Sequence, residues 1–390
     1  MSEHDTTALI HHPYRPPPGF ESPQVGVHKA STVIFPDVAA MRARDWKHKD
    51  GYTYGLHGTP TTFTLEERIA HLEHGRQCLL APSGLAAIAL VDMALLKQGD
   101  ELLIPLNAYG PGKDFALHQL AAWGISARFY DPMDAAGFAA LITPATRLVW
   151  LEAPGSVTME FPDLRGLVAA ARARGVITAL DNTWGAGIAF NGFDLGDGVG
   201  CDIVMQALTK FPSGGGDVLM GAATTCDEGL HVKLQMAHMR LGLGVAGNDA
   251  ELVLRSLPSI ALRYHAHDRN ARALAAWLQQ RPEIARVLHP ALEGSPGHAH
   301  WRATCTAAAG LFSVVFDPRL EPAQVDRFVD ALRLFRIGYS WGGPVSLVVP
   351  YDLGTMRDPA PHAGTLVRLS IGLEAEADLR ADLAQALSGL

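Results

Sequence analysis

Short apolar runs separated by stretches with helical spacing dominate the chain from about residue 65 to residue 225. Runs such as "ELLIP", "RLVWLE" and "DIVMQAL" alternate with segments such as "LRGLVAAARARG". The runs are apolar at consecutive positions, so we expect strands whose two faces are both buried. This alternation predicts a largely parallel sheet that helices cover on both sides.

The pattern divides the chain into three regions. Residues 1–60 are rich in proline, histidine and glycine and have little periodicity, so we expect an extended N-terminal arm that contacts a neighbouring subunit. Residues 61–250 carry the alternation of strands and helices and predict a large α/β domain. Residues 251–390 begin with two long helices, which Pro258 separates, and continue as a smaller C-terminal α+β domain.

Composition narrows the class of protein. The chain has 390 residues, a net charge of −8 and no block of lysine or arginine, which argues against nucleic acid or an anionic membrane as partner. No apolar run reaches the ~20 residues that a membrane span needs, and the N-terminus lacks the apolar segment of a secretory signal. Cys78, Cys201, Cys226 and Cys305 are scattered without a CxxC pair. We therefore expect reduced thiols and a cytoplasmic location.

Residues with useful chemistry follow several of the predicted strands. Ser83 and Gly84 stand between a strand and a helix, where serine suits the N-cap and the first free N–H groups bind anions. Tyr109 comes after "ELLIP", Asp181 ends "VITALD", and Lys210 follows "DIVMQAL". Because ligands of parallel sheets bind beyond the carboxyl ends of the strands, we expect these side chains to meet at one edge.

An anion site, an aromatic ring, a carboxylate and a lysine together suit pyridoxal 5′-phosphate (PLP). This cofactor needs an amine for its aldehyde, a site for its phosphate, an acid beside its pyridine nitrogen and a flat partner for its ring. Each residue alone has an ordinary explanation, such as a solvated lysine or an aspartate that caps a loop. All four lie at strand ends of one sheet, and this combination favours PLP.

Two other patterns suggest different chemistry. "GLGVAG" at 242–247 matches the GxGxxG of nicotinamide sites, which would make the protein an oxidoreductase. That motif follows a strand, whereas "HVKLQMAHMRL" before it has helical spacing. "HAHD" and "HAH" could suggest metal ligands, but His265 and His267 stand two apart in a predicted helix and so face different ways. We therefore expect neither site.

At these residues the chain resembles the trans-sulfuration enzymes of cysteine and methionine metabolism, which are PLP-dependent. The resemblance runs from about residue 50 to the end of the chain. It rests on "YTYGLHGTPT", "PSGLAAI", "NAYGPGKDF", "LEAPGSVTME", "LDNTWGAG", "ALTK", "LHPALEGSPGHAHW", "YSWGGPVSLV" and "VRLSIGLE". Within the family, "YSWGG" and "EAPGSVTME" make the chain most similar to the bacterial cystathionine β-lyases. The resemblance implies the aspartate-aminotransferase-like fold, known as fold type I.

The resemblance also implies an activity. We expect a carbon–sulfur β-lyase that converts L-cystathionine into homocysteine, pyruvate and ammonia, with cysteine or S-substituted cysteines as further substrates. Sister enzymes use the same residues for γ-elimination or γ-replacement, as in cystathionine γ-lyase, cystathionine γ-synthase and methionine γ-lyase, and this is the main alternative. A non-catalytic relative that binds PLP is another. The family forms homotetramers, so we expect a dimer of dimers.

The same resemblance implies cofactor-binding, substrate-binding and catalytic roles for individual residues. The expected cofactor-binding residues are Ser83, Gly84, Leu85, Tyr109, Asp181, Thr209 and Lys210, with Tyr54 from the neighbouring subunit. The expected substrate-binding residues are Arg368, Ser340, Trp341 and Tyr54, and the expected catalytic residues are Lys210, Tyr109 and Tyr54. Lys210 binds the cofactor's aldehyde and then removes the Cα proton, while Arg368 receives the α-carboxylate as a bidentate partner.

Three positions depart from the family pattern. Leu56 stands where the family commonly has an arginine that binds phosphate from the next subunit, so we expect weaker cofactor binding unless Lys49, His57 or backbone N–H groups compensate. The loop after the lysine has Gly215–Gly216 in place of a histidine-serine pair, which leaves it barer. Gly110 stands where close relatives of the β-lyases can have an acidic residue, so the distal substrate pocket differs.

Overall fold

Two β-sheets, each packed with helices, form the framework of the chain. The computed structural model describes residues 3–390 except positions 13, 15, 17, 21 and 358. A seven-stranded sheet comes from residues 77–225, and a five-stranded sheet comes from residues 284–370. The division of the chain into domains at residues 60 and 250 stays a prediction.

The N-terminal segment starts with a helix, which the sequence analysis did not expect. Helix α1 (Glu3–Ile10) places Leu9, only 1% exposed, in the main apolar core. The prediction of an extended arm is therefore wrong for this stretch, because tertiary packing supplies stability that local periodicity does not reveal. A second short helix, α2 (Val38–Arg42), begins at Asp37, whose side chain accepts the Ala40 N–H.

The seven-stranded sheet has the order β1-β7-β6-β5-β4-β2-β3. Neighbouring strands from β2 to β6 pair in parallel, whereas β7 is antiparallel to both β1 and β6. The prediction of a largely parallel sheet is thus confirmed, with β7 as the exception. No crossover helix stands between β6 and β7, so the chain returns beside β6 in the opposite direction. The strands are β1 (Gln77–Ala81), β2 (Glu101–Pro105), β3 (Ser126–Tyr130), β4 (Thr146–Glu152), β5 (Ile177–Asp181), β6 (Ile203–Gln206) and β7 (Gly221–Thr225).

Apolar clusters cover this sheet on both faces. In β1, Cys78 and Leu80 belong to one cluster, while Leu79 and Ala81 belong to another, so successive side chains enter opposite layers. This explains why the strands read as continuous apolar runs. The helices associated with this sheet are α3 (Pro60–Leu72), α4 (Gly84–Leu95), α5 (Gly110–Asp114), α6 (Ala135–Leu141), α7 (Leu164–Arg172) and α8 (Glu228–Leu241), with a π-helical turn over Phe115–Leu120.

The C-terminal part begins with α9 (Gly247–Ser256) and α10 (Ile260–Leu278), which a 3-10 turn over Leu257–Ser259 separates. Pro258 lies in that turn, so the predicted break is confirmed. A five-stranded sheet follows, antiparallel except for its first pair, in the order β10-β11-β12-β9-β8. The elements are β8 (Ile284–Leu288), α11 (His298–Thr304), β9 (Leu311–Phe316), α12 (Pro322–Ala331), β10 (Arg336–Ile337), β11 (Leu347–Tyr351), α13 (Leu353–Met356), β12 (Leu366–Ser370) and α14 (Glu376–Leu387).

Across the part of the chain that the structure describes, every helix is too short or too polar to cross a membrane.

Candidate active site

A cavity of about 600 Å³ lies where the carboxyl ends of the large sheet's strands face the second sheet. This volume falls in the range of small-molecule sites. The structure brings ten of the expected site residues to its wall: Ser83, Gly84, Leu85, Tyr109, Asp181, Thr209, Lys210, Ser340, Trp341 and Arg368. Strand ends supply most of the first seven, and the C-terminal region supplies the last three.

Lys210 lies in the turn that follows β6. Its backbone N–H donates to the carbonyl of Ala207 at 3.1 Å, and its Nζ donates to Ser340 Oγ at 2.8 Å. The Nζ also lies 5.6 Å from the ring centre of Trp341. Burial, followed by the positive charge of Arg368, lowers the pKa of Lys210 to about 8, although Asp181 opposes the shift. The amine is therefore far more often neutral, and thus nucleophilic, than an ordinary lysine.

Asp181 ends β5, and Thr183 fixes its orientation. The Asp181 Oδ1 accepts the Thr183 backbone N–H at 2.9 Å and the Thr183 hydroxyl. That hydroxyl in turn accepts the Ala207 N–H at 2.9 Å, so the end of β6 holds it in place. Burial raises the pKa of Asp181, and its bonds to Thr183 partly oppose this. A buried carboxylate of this kind suits a ligand that presents a protonated nitrogen.

The start of α4 lies next to the end of β6 and offers backbone N–H groups that suit an anion. Ser83 is the N-cap, and its Oγ accepts the Ala86 N–H at 3.0 Å. The N–H groups of Gly84 and Leu85 have no acceptor within the helix, because they belong to its first turn. A Cβ on Gly84 would lie 2.8 Å from Ala207 Cβ, so glycine lets the helix start approach the end of β6.

Thr209 lies at the same wall, but its polar groups are already engaged. Its backbone N–H donates to the carbonyl of Met220 at 3.2 Å, and its hydroxyl accepts the Met220 N–H at 3.1 Å. These bonds tie the turn of Lys210 to the stretch before β7. The Thr209 hydroxyl also donates its one hydrogen to the Met220 carbonyl at 3.2 Å. Thr209 therefore supports the turn, and it would have to give up that bond to donate to a phosphate.

Tyr109 is connected to a glutamate that the sequence analysis left unassigned. The backbone N–H of Tyr109 donates to Glu152 Oε2 at 2.7 Å. Glu152 ends β4 and lies directly beside Asp181 in the parallel pair of β4 and β5. Burial, followed by the charge of Asp181, raises the pKa of Glu152 well above its ordinary range. The shift favours the neutral form of Glu152 beside the Asp181 carboxylate.

Arg368 is a buried cation without a carboxylate. It lies in β12 with only 8% of its surface exposed, and its Cζ lies 5.4 Å from the ring centre of Tyr351. Among the described residues, no ion pair involves Arg368. Burial lowers the pKa of this guanidinium, and the tyrosines Tyr351, Tyr339 and Tyr109 oppose the shift. A guanidinium in this state is suited to bind a carboxylate from outside the chain.

Ser340 and Trp341 come from the loop after β10. Ser340 has a φ of 95°, which is unusual for a residue with a side chain, and Gly342 has a φ of 79°. A Cβ on Gly342 would lie 2.9 Å from the backbone nitrogen of Phe211, so this loop packs directly on the turn of Lys210. The close approach explains how Ser340 reaches the lysine amine.

The structure does not bring Tyr54 to the cavity of its own chain. Tyr54 is 45% exposed and forms an isolated β-bridge with Thr32. Its contribution from a neighbouring subunit stays a prediction. Leu56 lines a different pocket together with Lys49. Lys49 Nζ lies 2.6 Å from Glu66 Oε2, so this cation is paired within its own subunit.

The two competing patterns lie in unsuitable structures. Helix α8 comes directly before Gly242, which ends that helix with a φ of 67°, so the "GLGVAG" segment does not follow a strand. His265 is exposed, whereas His267 is buried and its Nδ1 lies 2.6 Å from the carbonyl oxygen of Ile371. Within the described residues, no group of three or more histidine, cysteine or acidic side chains could hold a metal ion.

Comparisons with known proteins agree with this geometry. The family described as Cys/Met metabolism PLP-dependent enzyme matches residues 6–388. The chain belongs to this family. It is 38% identical over 395 residues to the cystathionine beta-lyase of Bordetella avium, covering 99% of this chain and 98% of that protein. It is 36% identical over 365 residues to the cystathionine beta-lyase MetC of Escherichia coli strain K12, with 92% and 91% covered.

The solved structures support the fold. The crystal structure of metB from Corynebacterium glutamicum superimposes with a TM-score of 0.89 at 27% identity, and covers 98% of this chain and 97% of that one. The prediction of a PLP-dependent enzyme of fold type I is therefore confirmed. As a member of the Cys/Met metabolism family, the protein uses PLP as its cofactor.

The residues of this cavity fit that cofactor. The unpaired N–H groups at the start of α4 suit a phosphate. Among the described residues, hydrogen bonds to Asp181 reach only Oδ1, so Oδ2 is available to a ring nitrogen. Lys210 offers an amine whose pKa of about 8 favours reaction with an aldehyde. PLP supplies the electron-withdrawing ring that makes a proton on the Cα of a bound amino acid removable.

Several wall residues were not found from the sequence. Glu152 could have been found, since it ends a predicted strand inside the quoted motif "LEAPGSVTME". Thr183 carries a weaker indication, because it stands two residues after Asp181. Tyr351 and Met356 give no indication, since only the packing of the C-terminal region brings them to the cavity.

Proposed function

We propose that the protein is a PLP-dependent carbon–sulfur β-lyase that cleaves L-cystathionine into homocysteine, pyruvate and ammonia. The relatives named cystathionine beta-lyase support this reaction. The observation that carries the proposal is the pairing of Arg368, a buried guanidinium without a carboxylate, with the partly buried amine of Lys210 in one cavity.

In this proposal Arg368 and Ser340 hold the α-carboxylate of the substrate. Ser340 Oγ already lies 2.8 Å from Lys210 Nζ, so a carboxylate bound there places Cα close to the amine. The Lys210 amine would hold the cofactor, and as a free amine it would remove the Cα proton of the substrate as a general base. Its pKa of about 8 supplies the neutral amine that this step needs.

The other residues hold the cofactor in place. Asp181 would keep the ring nitrogen protonated, and Thr183 fixes the orientation of that carboxylate. Tyr109 would offer its ring to the cofactor ring, while its backbone bond to Glu152 anchors the start of α5. Ser83, Gly84 and Leu85 would hold the phosphate at the start of α4, and Thr209 would join them once its hydroxyl leaves the Met220 carbonyl. The thiolate then leaves from Cβ.

The first experiment compares Lys210→Ala with Lys233→Ala, a control at an exposed lysine on α8. We expect the control to be yellow, to lose this absorption on borohydride reduction, and to carry the added mass on Lys210. Lys210→Ala should lose pyruvate release by a factor of at least about 10³. Near-normal turnover by Lys210→Ala would contradict the proposal.

Product analysis separates the alternatives. Pyruvate and homocysteine from L-cystathionine indicate β-elimination, whereas 2-oxobutyrate and cysteine indicate γ-elimination. A protein that binds PLP but releases neither keto acid would be a non-catalytic relative. Only the first result agrees with the proposed function.

The proposal also includes a homotetramer of two dimers and a cytoplasmic location. Exposed apolar side chains at Ile34, Val38 and Met41 support a covered N-terminal segment, and the four free cysteines support a reducing compartment. Mixing inactive Lys210→Ala and Tyr54→Ala subunits after dissociation tests the shared site. Recovered activity is expected if Tyr54 acts across the interface, and none is expected if it does not.

A further inference from the structure

We propose that this site prefers L-cysteine conjugates whose sulfur carries an uncharged apolar group over L-cystathionine. The inference rests on the proposed β-elimination and concerns only the group attached to the sulfur. L-Cystathionine has an ammonium and a carboxylate at the far end of that group. S-alkyl and S-aryl cysteines do not.

The carboxyl, amine and guanidinium side chains of the cavity wall are confined to the reacting centre. They are Glu152, Asp181, Lys210 and Arg368. Asp181 and Glu152 lie side by side at the ends of β5 and β4, and Arg368 and Lys210 are committed to the α-carboxylate and the Cα proton. Within the described part of the wall that one subunit supplies, no charged side chain remains for a second amino-carboxylate group.

The rest of the wall is largely apolar or aromatic. This part of the cavity is lined by Val157, Met159, Leu219, Tyr339, Tyr351 and Met356. Such a surface stabilises an apolar group on the sulfur by removing it from water, whereas two unpaired charges lose hydration there without compensation. The wall therefore discriminates against the distal end of L-cystathionine.

The charged side chains near this part of the wall form ion pairs with one another and do not line the cavity. Arg357 lies next to Met356, and its guanidinium lies 3.3 Å from Glu160 Oε1 and 3.6 Å from Asp131 Oδ2. Glu160 also accepts the side-chain amide of Asn107 at 2.9 Å. Neither Arg357 nor Glu160 lines the cavity. These ion pairs use the charges that could otherwise recognise a distal ammonium or carboxylate.

Gly110 leaves open space where a charged side chain would fit. It lines the cavity at the first position of α5, and a Cβ built on it would have no neighbour within 4 Å. Its φ is not in the left-handed region, so other residues are tolerated there. The matched variants Gly110→Asp and Gly110→Asn therefore test the effect of one carboxylate at nearly constant size.

The experiment measures pyruvate release by the PLP-loaded enzyme from S-methyl-, S-ethyl-, S-propyl- and S-benzyl-L-cysteine and from L-cystathionine. We expect kcat/KM to rise about fourfold per added methylene across the alkyl series. S-Benzyl-L-cysteine should exceed L-cystathionine by at least about tenfold. Gly110→Asp should narrow that ratio by favouring the distal ammonium, and Gly110→Asn should leave it unchanged.

A binding measurement removes the dependence on turnover. L-Norleucine and 2,7-diaminosuberate replace the sulfur of S-ethyl-L-cysteine and of L-cystathionine with a methylene, so neither can lose a thiolate. We expect the smaller dissociation constant for norleucine, by about tenfold.

The possible failures are distinguishable. The apolar preference is overturned if L-cystathionine has a higher kcat/KM than the S-alkyl and S-benzyl conjugates and diaminosuberate binds more tightly than norleucine. The proposed β-lyase activity would still stand in that case. If no conjugate yields pyruvate, the proposed function fails instead, and the two dissociation constants still decide whether the wall selects apolar groups.

Discussion

The two ends of the cavity are built in different ways. Asp181 and Glu152 come from adjacent strand ends of the large sheet, where the register of β4 and β5 fixes their positions. Ser340 and Met356 come from a loop and a short helix of the C-terminal region, which approach only when the two regions pack together. The cofactor end is therefore determined by the fold type, while the substrate end can change without disturbing the large sheet.

Separating the two ends by mutation gives the largest expected effect. Arg368→Leu should lower kcat/KM about a thousandfold, because the substrate's carboxylate would be buried without a partner. PLP binding, followed by its absorption spectrum, should remain. Arg336→Leu, at an exposed position on β10 of the same sheet, is the control. Loss of PLP from Arg368→Leu would mean that the two ends are not independent.

The complementary change concerns the cofactor end. Asp181→Asn keeps the size of the side chain but removes its charge, so binding of PLP should weaken about a hundredfold, the value of a hydrogen bond to a charged group. The PLP dissociation constant of the apo-protein measures this. Asp194→Asn, at an exposed aspartate, should have no effect. If Asp181→Asn and Asp194→Asn bind PLP with equal affinity, Asp181 does not interact with the ring nitrogen.

A smaller effect is expected when the support of Asp181 is removed. Thr183→Val deletes the hydroxyl that Asp181 and the Ala207 N–H share. PLP affinity should fall about tenfold. Thr183→Ser retains the hydroxyl and should restore most of that loss. A valine variant with normal PLP affinity would show that Thr183 has no positioning role.

The smallest expected effect is a shift in the pH at which Lys210 of the apo-protein becomes reactive. A lysine whose pKa is lowered to about 8 is charged below that pH and neutral above it. Reductive methylation mapped to Lys210 should therefore rise with a midpoint near pH 8. Because Arg368 contributes to the lowering, Arg368→Leu should move the Lys210 midpoint upward. If the Lys210 midpoint does not change in Arg368→Leu, burial alone lowers the pKa of Lys210.

The two ends also differ in how far sequence reasoning could reach. Ser83, Tyr109, Asp181 and Lys210 stand at or just after apolar runs, and the carboxyl edge of a parallel sheet brings such positions together. Their assembly in one cavity was predictable for that physical reason.

Other features depend on contacts between distant parts of the chain. Met356 reaches the cavity through the packing of the C-terminal region, and no local pattern encodes that contact. Helix α1 depends on the burial of Leu9, and the reversal of β7 depends on a connection without a helix. Ser340 and Trp341 were found only through the family resemblance.

The antiparallel return of β7 beside β6 also has a consequence for the order of folding. Lys210 lies in the chain between these two neighbouring strands, and Thr209 and Met220 join the bases of that segment. Contacts of short sequence separation close with little loss of chain entropy, so this segment can form early. Arg368 belongs to a strand much later in the chain. The turn that carries Lys210 can thus close before β12 exists, whereas the bond from its amine to Ser340 must wait for the C-terminal region.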